Sequence, residues 1–140
     1  MAIAAELLAA YTATDFVVFE GDERWALHVG VASPRIDALL DRHGAASATI
    51  VTAFNPRSQV LAPDANQTRH RALVRLLEGR RLPFLYGEGR DPSGQWTPET
   101  ECIVFGISLA EGLEIARRFD QNAVVFIERG KAPRLEFPEG

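Results

Sequence analysis

Apolar positions along the chain switch several times between a helical period and a strand period. Ile3, Leu7, Leu8 and Tyr11 recur at helical spacing, so residues 2–11 are predicted to form a short amphipathic helix, with alanine raising the propensity. Its stripe must dock on a sheet or on a second subunit. Residues 16–20 and 25–30 predict a β-hairpin turned at Gly21-Asp22. Trp25, Leu27 and Val29 alternate there with Ala26 and His28, which gives one core face. Ser33-Pro34 supplies an N-cap and a first-turn proline for a helix carrying Ile36, Leu39, Leu40 and His43 on one side, with Gly44 as its stop.

Residues 48–54 form an apolar, β-branched run, the pattern of a strand covered on both faces, and Asn55-Pro56 ends it. Helix resumes at Pro63 and runs to Gly79, with Asp64 in the first turn and Ala62 as a poor N-cap. Residues 83–86 predict a brief strand, and residues 87–99 a long turn-rich loop. Residues 102–107 predict a strand. Ser108-Leu109-Ala110-Glu111 is a capping box that opens a helix with Leu109, Leu113, Ala116 and Phe119 facing inward. Residues 123–127 and 134–137 are the last strands, and Pro133 suggests an edge position for the second.

Two strand–helix–strand units, around residues 48–86 and 102–127, thus lie between hairpins. They predict one layered domain over residues 1–140, of α+β or α/β class, with helices packed on a mixed β-sheet. Each unit could close as a right-handed crossover or in a split form with an antiparallel neighbour.

Composition narrows the function classes. A hydrophobic share of 46% and a charged share of 24% are ordinary for a globular chain of 140 residues. A formal charge of −4 disfavours broad contact with nucleic acid. The local exception is the run Arg69, Arg71, Arg75, Arg80 and Arg81, of which Arg71 and Arg75 fit a solvated face. A single cysteine excludes an internal disulfide framework and suits a cytoplasmic location. The start of the sequence lacks a signal-peptide pattern, and no apolar run approaches a membrane span. His28, His43 and His70 are too scattered for a metal site, and no cofactor motif appears.

Candidate chemistry gathers around residues 48–77. The inward stripe of the 63–79 helix begins with Asn66, Arg69 and His70 and ends with Leu73, Leu76 and Leu77. Burying the polar members without partners would cost several kcal/mol, by ordinary transfer estimates. They therefore meet partners or line a wet crevice at the end of the preceding strand, with Asn55 and Arg57 at its mouth. Arg69 would clamp an anionic group, or instead pair with Glu88 or Glu99. The 87–99 loop adds Glu88, Trp96 and Glu99; Trp96 would serve as a lid or pin the loop to the core, and Glu99 is the one good general-base candidate. Gln121 and Asn122 occupy a helix-to-strand turn, where Gln121 could contact the site and Asn122 could simply be a left-handed cap. Cys102 reads as an inert buried thiol.

Thr52-Ala53-Phe54-Asn55-Pro56, then Asn66, Trp96-x-x-Glu99 and Phe119-x-Gln121-Asn122-Ala123 resemble the bacterial domain of unknown function 3293 family. The resemblance runs from about residue 11 to 135. The family's first motif usually carries tryptophan where Phe54 stands, and Thr100 stands where a serine often follows the glutamate. The resemblance marks residues and implies no activity.

Two function classes remain. The first is a small cytosolic protein whose crevice takes a small ligand, an anion or nucleotide being favoured, through Asn55, Arg57, Asn66, Arg69, Glu88, Trp96, Glu99, Gln121 and Asn122. Whether it is an enzyme stays open, because no nucleophile–base pair is evident. The alternative is a regulatory or protein-interaction module acting through Ile3, Leu7 and Tyr11, with a homodimer as one form.

Overall fold

The computed structural model describes residues 5–138. The first helix, α1, spans Ala5–Ala13; Ile3, part of its expected stripe, lies outside the described residues. Strands β1 (Asp15–Glu20) and β2 (Glu23–Leu27) form the expected hairpin around Gly21-Asp22. Helix α2 (Pro34–Arg42) starts as its sequence dictates: the Ser33 hydroxyl accepts from the Ile36 N–H at 3.3 Å. Then come β3 (Ser47–Thr52), a single 3-10 turn at Pro56–Ser58, α3 (Pro63–Gly79), β4 (Phe84–Arg90) and β5 (Glu99–Phe105). Helix α4 (Leu109–Arg118) is capped by Ser108 on the Glu111 N–H at 3.1 Å, and β6 (Val124–Glu128) and β7 (Arg134–Glu136) close the chain.

All seven strands join one curled sheet in the order β2-β1-β4-β5-β3-β6-β7. Every pairing is antiparallel, so the fold is α+β and the mixed sheet resolves to antiparallel neighbours. Both strand–helix–strand units adopt the split form. Strand β5 sits between β3 and β4, and β3 sits between β5 and β6. Residues 47–128 thereby trace β-α-β-β-α-β with the two units interlocked, the connectivity of ferredoxin-like domains. The hairpin extends one side of this unit and β7 ends the other, the edge position its proline signalled.

The sheet separates two cores. Leu73 and Leu77 of α3 and Ile115 and Ala116 of α4 pack on Val51, Cys102 and Val104. On the opposite face, Ile36, Leu39 and Leu40 of α2 pack on Phe16, Val18, Ile50, Ile103 and Phe105. Helix α2 covers only part of that face. No helix among the described residues is long and apolar enough to cross a membrane.

Strand β2 stops at Leu27 and β3 at Thr52, short of their expected ends, and two further differences reshape the long loop. Strand β4 continues through Gly87-Glu88-Gly89-Arg90 instead of breaking at Gly87, and β5 starts at Glu99 instead of Cys102, so the loop shrinks to residues 91–98. The glycines serve close packing here. A Cβ on Gly87 would overlap the Val17 carbonyl oxygen and lie 2.8 Å from Ile103 Cδ1. Gly87→Ala should therefore push β1 away from β4. A loss of about 1–3 kcal/mol, the usual range for overpacking, is expected in urea denaturation.

Candidate functional site

The site lies where α2 leaves the sheet uncovered. Leu7, Ala10 and Tyr11 of α1 roof a cavity of about 250 Å³, whose floor draws on Phe16, Ile50, Gly89 and Val125 from four strands. One cavity of this size touching so many strands lies on the inside of the curl. Trp96, Asn55 and Ser58 form its outer rim.

Two carboxyls enter from β5. Glu99 and Glu101 are two residues apart, share a face with Ile103, and both line the cavity. Glu101 is 4% exposed, and its Oε1 has no hydrogen-bond partner among the described residues. Burial pushes its carboxyl well above the usual carboxylate range, and the negative charges of Glu99 and Glu88 add to the shift. Glu99 is raised by burial too, opposed by the Asn55 carboxamide, whose Nδ2 donates to Glu99 Oε2 at 2.6 Å. The Tyr11 phenol is pushed up to about 12 by burial and by Glu99, while hydrogen bonds with Asn122 and Ser58 pull the other way. It therefore stays neutral. Gly89 makes room for the cluster: a Cβ there would touch Glu101 Oε2 at 3.4 Å and Thr14 Cγ2 at 3.6 Å.

Asn55 is the organiser. Its N–H donates to Asn66 Oδ1 at 2.8 Å, and its Oδ1 accepts from Asn66 Nδ2 at 2.7 Å and from the Leu61 N–H at 3.0 Å. It adopts a left-handed backbone (φ 46°), as do Arg57 (φ 53°) and Ser58 (φ 62°). Three such non-glycine residues within four positions are costly, and concentrations of this kind belong to sites that the surroundings hold in place. Asparagine tolerates the conformation best.

Among the residues expected to form the site, Asn55, Trp96, Glu99 and Gln121 line the cavity. Asn66 supports it through Asn55. Asn122 supports it too: its Nδ2 donates to Ser58 Oγ at 2.9 Å, and the left-handed residue of that turn is Asp120. The other three stand apart. Helix α3 packs on the far face, so Arg69 turns away from the cavity. Its Nε donates to the Ala53 carbonyl at 2.7 Å and an Nη to the Phe119 carbonyl, tying the end of β3 to the end of α4. Arg57 is exposed beside Asp120 at 3.4 Å. Glu88 stands in β4 and holds Arg90 at 2.6 Å. His70, also on the far side, packs edge-on to Phe54; its Nδ1 is unpartnered, and burial with Arg71 nearby lowers its pKa.

Tyr11, Ser58 and Glu101 were not among the expected residues. The alternation Glu99, Glu101, Ile103 was the available signal for Glu101. It was hidden by reading residues 87–99 as loop, which left Glu101 at a strand end. Among the described residues no cluster could hold a metal ion. Cys102 is buried, its thiol pushed up to about 12 by burial and by Glu101, which fits the inert reading.

The comparisons with known proteins add one finding. A family described as "Protein of unknown function (DUF3293)" matches residues 51–124, just over half of the chain. Neither the curated proteins nor the solved structures offer a match.

Glu101 has a raised pKa in the folded state. Its contribution to stability is fully present below the ordinary carboxylate pKa and is lost as pH rises through the folded value. Thermal melts from about pH 4 upward should show the wild type losing stability as pH rises. Glu101→Gln, which stays neutral, should flatten that decline and melt higher than the wild type at neutral pH. Arg69→Met should cost about 2–3 kcal/mol in urea denaturation, because it strips a charged donor from two carbonyls.

Proposed function

The chain belongs to the DUF3293 family of proteins of unknown function, so membership brings no activity with it, and we propose that the protein binds a small molecule in the cavity under α1. The observation that carries this reading is the Glu101 carboxyl, buried against that cavity with an oxygen that no group among the described residues satisfies. An unpaired buried oxygen costs stability, and such sites are commonly kept for what they do to a ligand. A volume of about 250 Å³ falls just below the ~300–1,000 Å³ usual for drug-sized ligands, so the occupant is a ring or short chain with few substituents. Apolar walls hold its body. Glu101, Glu99, Asn55 and the neutral Tyr11 hydroxyl orient its polar end.

This differs from the ligand the sequence favoured. An anion or nucleotide depended on Arg69, whose guanidinium is occupied by two carbonyls on the other face. A bacterial cytosolic setting belongs to the same reading, supported by the family resemblance and by the lone buried thiol. An interaction module working through α1 has less support, because Leu7 and Tyr11 of its stripe face the cavity.

The test is a thermal-shift series with uncharged ring compounds of matching size: benzyl alcohol, cyclohexanol and indole. A probe at one hundred times its Kd should stabilise by about 2.7 kcal/mol. Ala10→Trp, at an exposed helix position that lines the cavity, should abolish the shift and leave the unliganded melting temperature nearly unchanged. If none of the three probes moves the wild type, the ligand-site reading fails.

A further inference from the structure

The cavity's charge lining is one-sided. Two carboxyls line it, and no lysine, arginine or histidine does among the described residues. Resting on the reading of this cavity as a ligand site, we propose that its ligand is a small apolar amine or amidine whose cationic head sits between Glu101 and Glu99.

The geometry leads there by elimination and by fit. Glu99 and Glu101 are alternate residues of one strand, so their side chains leave the same face roughly 7 Å apart at the backbone. One ammonium or amidinium can contact both. Glu99 is already steadied from one side by Asn55 Nδ2 at 2.6 Å. Glu101 has no comparable partner among the described residues; it is 4% exposed, with Oε1 unsatisfied there. A carboxyl in that position must stay neutral or be given a cation. No side chain of the lining supplies one, since Arg69 is held on the far face and Arg90 is paired with Glu88. A ligand head group can. The cluster also selects against alternatives. A carboxylate or phosphate would meet two carboxyls and no cation to pair with. A bare divalent ion would want six or more oxygen ligands or an equivalent set, and the described residues hold no such group. Trp96 also lines the cavity, and an aromatic ring there can attract a cation.

The experiment is a ligand-observed NMR titration with three probes of one shape: benzylamine, benzyl alcohol and sodium benzoate. It is run on the wild type, Glu101→Gln and Glu99→Gln, with magnesium and calcium chloride as further arms. Circular dichroism confirms the fold of each variant, and the second variant serves if the first is unfolded. Benzylamine should bind the wild type at least about tenfold more tightly than benzyl alcohol. Either substitution should remove most of that advantage. Equal binding of benzylamine and benzyl alcohol overturns the cation assignment and leaves the cavity as a ligand site. Preference for benzoate, or stronger binding of a divalent ion than of the amine, also overturns it. Failure of all three organic probes overturns the ligand site and this assignment together.

Discussion

The carboxamide of Asn55 holds four parts of the chain in one place. Its backbone N–H and Oδ1 engage Asn66 on α3, Oδ1 also receives the Leu61 N–H from the loop, and Nδ2 reaches Glu99 on β5. Only a side chain with both a donor and an acceptor can do this. An aspartate would set a second carboxylate against Glu99, and an alanine would leave three part-buried groups unpaired. The same residue must take a left-handed backbone, which asparagine does at little cost. The arrangement also explains why α3 starts without a side-chain cap. Its first turns are secured through Asn66 instead, so the rim of the cavity and the register of a core helix depend on one set of hydrogen bonds.

Charge is distributed accordingly. Arginines are spent outside the cavity. Arg80 pairs with Glu111 and Glu114, Arg42 with Glu20, and Arg134 with Glu128 and Glu136. Surface pairs of this kind contribute little each, about 0–1 kcal/mol. Inside, Glu101 and Glu99 face apolar walls and a neutral phenol. The roof over them is the least anchored wall: α1 contributes Leu7, Ala10 and Tyr11 yet has no fully buried residue. A cover held by partial contacts opens more easily than the sheet beneath it.

Local chemistry in the sequence located most elements. Ser33-Pro34, the Ser108 capping box and Gly21-Asp22 each start or stop an element where the structure does, while β3 ends at Thr52, two residues before its expected end. These are short-range effects, decided within a few residues. What stayed hidden depends on partners far along the chain. Gly87 and Gly89 look like turn residues in isolation, and only the approach of β1 and the Glu101 carboxyl makes glycine the strand residue there. Reading them as loop displaced the start of β5 and took Glu101 out of view. Arg69 misled for a related reason. Its helical stripe was sound, but the face of the sheet on which α3 packs cannot be read from α3 alone, and Arg69's partners, the Ala53 and Phe119 carbonyls, lie 16 and 50 residues away.

The interlocked arrangement of β3 and β5 governs the order in which the chain can assemble during synthesis. Strand β3 has β5 and β6 as its two neighbours, and both are made after it. A nascent chain that has emerged only through α3 therefore carries an apolar strand with both edges bare and nothing to pair. Strand β4 does not relieve this, because its own place is on the far side of β5. Strands β2, β1 and β4 can pair with one another before β5 is made, but completion of the sheet around β3 waits for residues 99–128. In that interval residues 47–52, uncharged and mostly β-branched, form a strand open to pairing with another chain.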